Sequence, residues 1–258
     1  MTTDFSGAGD PVRSIELLWR VQERPRRGPK PRFSVDDVAA AAIALADIDG
    51  LGALSMRRVA ERLGVQAMSL YTYVPGKAEL IDLMLDTVCT EMPMPADVPG
   101  GWRARLTLVA RSNWELYLRH PWMLQVATTR PPLGPNLLAK YDYELRAVDG
   151  VGLSDLEMDL IVQMVTDYVH GAVRGAVGAT LVAQATGLSD EQWWERAAPV
   201  LEKVFDPARH PTAARVGAAA GEEYQAAADP ARAFAFGLER LLDGVESLIS
   251  RQTGDSEK

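Results

Sequence analysis

Residues 55–73, SMRRVAERLGVQAMSLYTY, form the stretch that decides the fold. Ser55 is a favourable N-cap residue for a first short helix, in which the apolar positions repeat at helical spacing. Gly64 ends this helix and has the backbone freedom that a tight turn requires. A second short helix then runs from Gln66 to Tyr73. Two short helices joined in this way predict a helix-turn-helix, whose second helix can enter the major groove of DNA.

The polar face of the second helix carries side chains that can contact DNA. Glutamine can bond to an adenine edge, serine and threonine can bond to bases or phosphates, and alanine can touch a thymine methyl group. Lys77 opens the next helix, where free backbone amides also favour a phosphate. The candidate DNA-binding residues of this region are Ser55, Arg57, Gln66, Ala67, Ser69, Tyr71, Thr72, Tyr73 and Lys77.

The segment before the motif is basic and unsuited to a helix. Residues 24–33, RPRRGPKPRF, contain three prolines and a glycine, which exclude a regular helix. Five positive charges fall between Arg24 and Arg32, whereas the whole chain has a net charge of -8. An extended basic arm of this kind can follow the DNA backbone or enter the minor groove. We therefore add Arg26, Arg27 and Lys30 to the candidate DNA-binding residues.

Helical patterns on both sides of the motif predict an all-α protein. Ser34 and Asp37 form a variant of the capping box at the start of a helix that ends at Gly50, and Lys77 begins another that runs to about Glu91. No stretch shows the sustained alternation of β-branched residues that predicts a strand. Further helices are predicted at 12–23, 102–119, 121–128, 135–149, 154–184, 190–205 and 230–251.

Composition and helix pattern divide the chain into three parts. Residues 1–33 are predicted to be a flexible N-terminal extension that includes the basic arm, and residues 1–11 are small, polar and predicted to be disordered. Residues 34–80 form the three-helix DNA-binding domain. Residues 81–258 form a larger helical domain, in which prolines leave the helix boundaries open between 206 and 229.

The amino-acid composition excludes several classes of protein. No apolar run approaches the roughly 20 residues that a membrane-spanning helix requires, and the N-terminus lacks the pattern of a signal peptide. The single cysteine, Cys89, excludes an internal disulfide. The three histidines show no metal-ligand spacing, and no nucleophile or phosphate-loop signature is present. We therefore expect a cytoplasmic protein with no membrane contact, no metal, no cofactor and no catalytic residue.

The stretch from Arg26 to Leu85 resembles the TetR family of bacterial repressors. It contains the family's motifs in order: Gly-Leu at a helix end, Ser and Arg before VAERLGV, then Ser-Leu-Tyr, then Tyr-Val-x-x-Lys-x-Glu-Leu. The resemblance implies a two-domain, all-helical homodimer, in which residues 81–258 are the ligand-binding and dimerisation domain. It also implies that Gln66 to Tyr73 is the recognition helix and that Lys77 binds a phosphate.

Aromatic, methionine and polar residues of the C-terminal part are candidates for an effector pocket. One group surrounds Pro121, and a second lies on the predicted helix 154–184. Such residues suit an apolar or aromatic small molecule with a few orienting contacts, and they equally suit a hydrophobic core. The candidate ligand residues are Trp114, Tyr117, His120, Trp122, Met123, Met164, Asp167 and Tyr168.

The resemblance further implies a homodimer whose interface is formed by the helices at 154–184 and 230–251. A twofold dimer predicts a palindromic double-stranded operator, with recognition helices about 34–36 Å apart. We expect a repressor that a bound small molecule releases from this operator. The alternative is a helical enzyme or a protein-interaction module that uses the helix-turn-helix only structurally.

Overall fold

The computed structural model describes residues 4–21 and 33–255, and it confirms the all-α architecture. Within these ranges, the only strands are two of two residues each, β1 (Asp4–Phe5) and β2 (Val126–Ala127). The helices are α1 (Pro11–Leu18), α2 (Val35–Asp49), α3 (Met56–Leu63), α4 (Ala67–Leu70), α5 (Lys77–Val88), α6 (Gly101–Arg119), α7 (Pro135–Arg146), α8 (Asp155–Thr186), α9 (Asp190–Val204), α10 (Pro211–Tyr224) and α11 (Pro230–Asp255).

Helices α2, α3 and α4 form a small unit, the head. A capping box starts α2, because Ser34 Oγ accepts from the amide of Asp37 at 3.1 Å and the Asp37 carboxylate accepts from the amide of Ser34 at 2.7 Å. Gly64 ends α3 with a φ of 67°, a left-handed conformation that glycine adopts without strain. The turn brings Val59 of α3 and Leu70 of α4 into one core, where both are 0% exposed.

Helix α5 connects the head to the rest of the chain. Its apolar residues belong to the same core as the head, so the predicted domain boundary at residue 80 divides a continuous helix. The opposite side carries three buried carboxylates, from Glu79, Asp82 and Asp86. Asp86 accepts from the amides of Asn136 at 3.0 Å and Leu137 at 2.8 Å, and so caps the start of α7.

Helices α6–α11 form a larger unit, the body, with α8 at its centre. Val165, Val169 and Val173 of α8 are each 0% exposed and pack against α6 and α11. Trp114 of α6 stacks on Phe234 of α11 with ring centroids 4.3 Å apart. None of the described helices is long and apolar enough to cross a lipid bilayer.

Residues 4–21, which we call the N-terminal strap, fold against α5. Disorder is predicted for residues 1–11, yet residues 4–11 are folded: β1 pairs in parallel with β2, and Ser6 Oγ donates to the carbonyl of Arg130 at 2.6 Å. Helix α1, predicted at 12–23, ends at Leu18, which is 3% exposed. Local composition does not reveal this folded structure, because the partners of the strap lie far along the chain, on α5 and in the segment after β2.

Three other predictions change in the structure. The predicted helix 121–128 is a 3₁₀ turn followed by β2, because the second half of this segment pairs with β1. The second helix of the motif, predicted at 66–73, is a single turn followed by non-helical residues. The region 206–229, left open in the sequence, contains α10. The basic arm, with Arg26, Arg27 and Lys30, lies outside the described residues.

Candidate DNA interface and effector site

The outer surface of α3 carries two of the predicted DNA-binding residues. Ser55 caps the helix, since its Oγ accepts from the amide of Arg58 at 3.3 Å. Arg57 is exposed, and its Nε lies 3.4 Å from a carboxylate oxygen of Glu61. Because exposed ion pairs of this kind contribute little free energy, the Arg57 guanidinium can exchange Glu61 for a phosphate.

The α4 turn presents a short surface of mixed chemistry to solvent. Gln66 and Ser69 are exposed, and Tyr71 is 46% exposed. Met68 lies between them and is 74% exposed, although methionine is more often a core residue. The sequence analysis missed Met68. The available signal was its position two residues before buried Leu70, which places it on the opposite side of the helix.

Three more predicted residues make contacts within the head itself. Ala67 and Tyr73 pack partly buried against its core, and the ring of Tyr73 lies 4.3 Å from the ring of Phe33. Thr72 Oγ donates to the carbonyl of Ser69 at 2.7 Å. These contacts fix the end of the recognition segment, and a direct role of the three residues in DNA binding stays a prediction.

Lys77 occupies the first position of α5, where the backbone amides favour an anion. An anionic side chain of the same chain lies there: Lys77 Nζ donates to Asp4 Oδ2 at 3.1 Å. The sequence analysis missed Asp4, because nothing in the local sequence connects two residues that are 73 positions apart.

Two predicted effector residues, His120 and Trp122, lie at the contact between the head and the body. His120 is 3% exposed, with Nδ1 2.8 Å from Asp47 Oδ1 and Nε2 3.1 Å from Glu91 Oε2. Trp122 Nε1 donates to the same Asp47 oxygen at 2.8 Å. Because an ionised carboxylate only accepts, both contacts of His120 are hydrogen bonds when both ring nitrogens carry a proton.

This head–body junction joins three elements: α2 with Asp47, the 3₁₀ turn after α5 with Glu91, and the end of α6 with His120. Burial alone would raise the pKa of Glu91. Hydrogen bonds from Arg119 and His120 outweigh it and hold the pKa below its ordinary value. The junction therefore contains a carboxylate with a lowered pKa that contacts both Arg119 and His120.

Three predicted effector residues, Trp114, Tyr117 and Tyr168, lie within the body. The ring of Tyr117 lies 5.5 Å from the ring of His170, and burial is the main cause that raises the pKa of Tyr117 to about 12. Its hydroxyl therefore keeps its proton at neutral pH and can donate a hydrogen bond. The hydroxyl of Tyr168 donates to the carbonyl of Phe234 at 2.8 Å.

A buried polar cluster in the same part of the body was not predicted. Glu144 is 3% exposed and accepts from Asn113 Nδ2 at 2.8 Å and from Lys140 Nζ at 2.5 Å. Its charge also contributes to the raised pKa of Tyr117. Lysine and glutamate four residues apart are typical of an exposed helix face, so the sequence gives no signal that this pair is buried.

The remaining predicted effector residues lie elsewhere. Met123 packs against the core of the head, whereas Met164 is 42% exposed and Asp167 is also exposed on α8. Two surface hollows of about 530 and 330 Å³ lie along α7 and beside residues 94–98, and neither is lined by any of the eight predicted residues. A single described chain therefore does not bring the eight residues together.

Two family models match the chain. The model described as "Bacterial regulatory proteins, tetR family" matches residues 33–84, which include the head. The model described as "Tetracyclin repressor-like, C-terminal domain" matches residues 94–249, more than half of the chain. The chain belongs to the TetR family. The N-terminal strap lies outside both matched segments of this TetR-family protein.

Relatives of this TetR-family protein include a named repressor. It is 44% identical over 257 residues to the HTH-type transcriptional repressor DrrR1 of Streptomyces coeruleorubidus, covering 99% of this chain and 93% of the relative. It is 25% identical to the Tetracycline repressor protein class E of Escherichia coli, covering 86% of this chain and 94% of that protein. The Streptomyces coelicolor TetR family protein ActR, solved in complex with actinorhodin, matches with a TM-score of 0.70 and 26% identity, covering 84% of this chain and 96% of that chain.

The geometry of the head and the similarity to these relatives together indicate the function of the TetR-family protein. It is a DNA-binding transcriptional repressor that responds to a ligand. The alternative, a helical enzyme or interaction module with a merely structural helix-turn-helix, is not favoured.

Proposed function

We propose that this protein acts in the cytoplasm as a homodimer, which places its two α4 segments in successive major grooves of a palindromic operator. The observation that carries the proposal is the exposed surface of α4 beside the cation of Lys77. Twofold symmetry would set the recognition segments about 34–36 Å apart. The protein works by binding alone, without a cofactor or a catalytic step.

The exposed residues divide by chemistry into two kinds of DNA contact. Gln66, Met68 and Ser69 suit base edges, because an amide and a hydroxyl can bond there and a methionine can touch a thymine methyl group. Arg57 and Lys77 suit phosphates, which fix the position of the head without selecting a sequence. The basic arm would add phosphate or minor-groove contacts.

Uncovered apolar surface supports the homodimer. Helices α9 and α10 contain no buried residue in the described single chain, and Trp193 and Val204 of α9 are 51% and 74% exposed. On α8, Leu156, Leu160 and Met164 are exposed at intervals of four residues, so they share one face. Monomeric proteins rarely expose contiguous apolar surface of this extent, and a second copy against α8 and α11 would cover it.

The chemistry around Tyr117 supports an effector site inside the body. Tyr117 and Tyr168 supply aromatic surface, while Asn113, Lys140 and Glu144 supply buried polar groups. This combination suits an aromatic small molecule with a few polar substituents. The similar protein ActR was solved with actinorhodin, which supports a ligand in the body of this chain as well.

The head–body junction supplies the route by which an effector would release DNA. His120 ends α6 of the body and contacts Asp47 of α2 in the head. An effector that displaces the end of α6 would therefore move the head and change the spacing of the two recognition segments. For nearly complete release, the effector must favour the non-binding state by about 5.5 kcal/mol.

The test is binding of the purified protein to the DNA that flanks its own gene, with excess competitor DNA and at two salt concentrations. We expect specific binding that weakens steeply with salt, and a footprint with two symmetric half-sites. Aromatic compounds can then be screened for release of that operator. Failure to bind specifically to any site in a genomic selection would contradict the proposal.

A further inference from the structure

We propose that Asp4 is a further affinity-determining residue for DNA binding, and that it acts through Lys77. Its carboxylate forms an ion pair with the ammonium group of Lys77, which is the group that a phosphate of DNA must reach. The inference rests on the proposed contact between Lys77 and DNA. It concerns a segment that neither family model includes, since the matches begin at residue 33.

The strap holds Asp4 in a defined place. Strand β1, which contains Asp4, pairs with β2 in parallel. Directly after it, Ser6 Oγ donates to the carbonyl of Arg130 at 2.6 Å, and the amide of Gly7 donates to Asp82 Oδ1 at 2.9 Å. These contacts with β2, Arg130 and α5 therefore hold the Asp4 carboxylate at the start of α5.

The rest of the strap sets its register along α5. Ser14 Oγ donates to Asp82 Oδ2 at 3.1 Å, and Leu18 is buried in the core of the head at 3% exposed. Gly9 lies so close to α5 that an added Cβ would come within 2.3 Å of Glu79 Oε1. These contacts leave the strap one position on α5, and in that position Asp4 meets Lys77.

A carboxylate and a phosphate compete for the same cation. Lysine offers a compact point charge, and both anions would approach it beside the amides at the start of α5. The side chains of Lys77 and Asp4 are 37% and 27% exposed, so their ion pair is of the partly solvated kind that a stronger ligand can displace. Asp4 would also repel an approaching phosphate. Removal of its charge should therefore strengthen DNA binding.

The experiment measures binding of the full-length protein to a duplex of about 30 base pairs of mixed sequence, at about 50 mM salt, where phosphate contacts supply nearly all of the affinity. Asp4→Asn should strengthen binding roughly two- to fivefold per head, the size expected for one partly exposed ion pair. In a Lys77→Gln background, the gain from Asp4→Asn should fall to no more than the gain from removing any one exposed carboxylate of the head, because the cation through which Asp4 acts is gone.

Asp36→Asn is the matched control. Asp36 is an exposed carboxylate of the head that pairs with Arg20 instead of Lys77, so its removal changes the net charge equally. Any gain from Asp36→Asn should be smaller, and should be the same with or without Lys77→Gln. Circular dichroism and thermal unfolding would show that each variant folds.

Three results would overturn the inference: weaker binding of Asp4→Asn, no gain beyond that of Asp36→Asn, or a gain of Asp4→Asn that Lys77→Gln does not reduce. The first would mean that Asp4 orients Lys77 for DNA. If Lys77→Gln alone binds as tightly as the wild type, the proposed phosphate contact fails as well. Specific binding to the operator tests the proposed function without Asp4, so a failure of the proposed function can be distinguished from a failure of the inference about Asp4.

Discussion

Asp82 of α5 is a carboxylate that is only 1% exposed, although it lies on the helix that connects the head to the body. Burial raises its pKa above the ordinary value, and hydrogen bonds from Gly7 and Ser14 offset only part of this effect. Because the raised pKa belongs to the folded state, the protonated form is favoured there. This group therefore stabilises the fold most below its ordinary pKa of 3.8, and the contribution is lost as pH rises through the raised value.

We expect Asp82→Asn to increase the free energy of unfolding at pH 7 by about 1 kcal/mol, because it removes a buried charge. The amide can still accept from Gly7 and can donate to the hydroxyl of Ser14. Asp82→Ala should instead lose about 1–3 kcal/mol, since both donors lose their acceptor. Urea unfolding at pH 7 and pH 4.5 is the measurement. A loss of stability in Asp82→Asn equal to that in Asp82→Ala would show that the charge itself is needed.

Met68 is the exposed apolar residue of α4 that we propose contacts a base. We expect Met68→Ala to weaken specific operator binding roughly tenfold through the loss of an apolar base contact. The dependence of affinity on salt should stay unchanged, because methionine releases no counterion. Leu138→Ala on α7, which also removes an exposed apolar side chain, is the control and should have no effect. Equal weakening on mixed-sequence DNA would rule out a base contact.

At the scale of helices, the junction of α2, α5 and α6 decides how the head is held. His120 is buried between Asp47 and Glu91, which come from different elements, and Trp122 donates to the first of these carboxylates. Arg119 binds Glu91 at 2.6 Å from the solvent side and is 53% exposed. His120 and Arg119 contact the same carboxylate but differ in burial, so a comparison of the two separates a buried cross-link from a surface ion pair.

We expect His120→Ala to lower the free energy of unfolding by about 2–4 kcal/mol, because it leaves a cavity where the buried ring packed and removes one hydrogen bond each from Asp47 and Glu91. Arg119→Ala should lower it by no more than about 1 kcal/mol. Hydrogen exchange at the amides of α2 should increase in the first variant and hardly change in the second. Similar effects of the two substitutions would mean that burial of His120 adds nothing to the attachment of the head.

At the scale of the whole molecule, the single chain leaves apolar faces uncovered. The face of α8 that carries Leu156, Leu160 and Met164 is exposed, and α9 and α10 bury no residue of their own in the described chain. The proposed palindromic operator would need two heads, and the proposed homodimer would bring them together by covering such a face. Operator affinity should therefore depend on residues that lie far from DNA.

We expect Leu160→Glu to shift the protein from dimer to monomer and to abolish specific operator binding, because a charge would be buried at the interface. Leu138→Glu, an equal change on the exposed surface of α7, should leave the dimer intact. Sedimentation velocity and operator binding are the two measurements. A dimer that survives Leu160→Glu would place the interface on a different surface.

The sequence determined the elements whose causes are local. The capping box at Ser34, the cap at Ser55 and the turn at Gly64 are encoded within a few residues, so α2, α3 and the start of α4 follow from spacing and residue type alone. The helical pattern likewise predicted α6, α8 and α11 to within a few residues. The same spacing predicted Gln66, Ser69 and Thr72 on the outward face, where they are exposed, whereas Ala67 and Tyr73 are partly buried and Met68 was missed.

Only the tertiary structure decided which distant residues meet. Asp4 pairs with Lys77 and His120 pairs with Asp47, each across 73 positions, and a local pattern contains no information about contacts at that distance. For the same reason residues 1–11 look disordered in sequence, and the pair of Lys140 and Glu144 looks exposed. Helices are determined by interactions between neighbours in the chain, whereas the docking of a strap and the burial of an ion pair are determined by the packing of helices on one another.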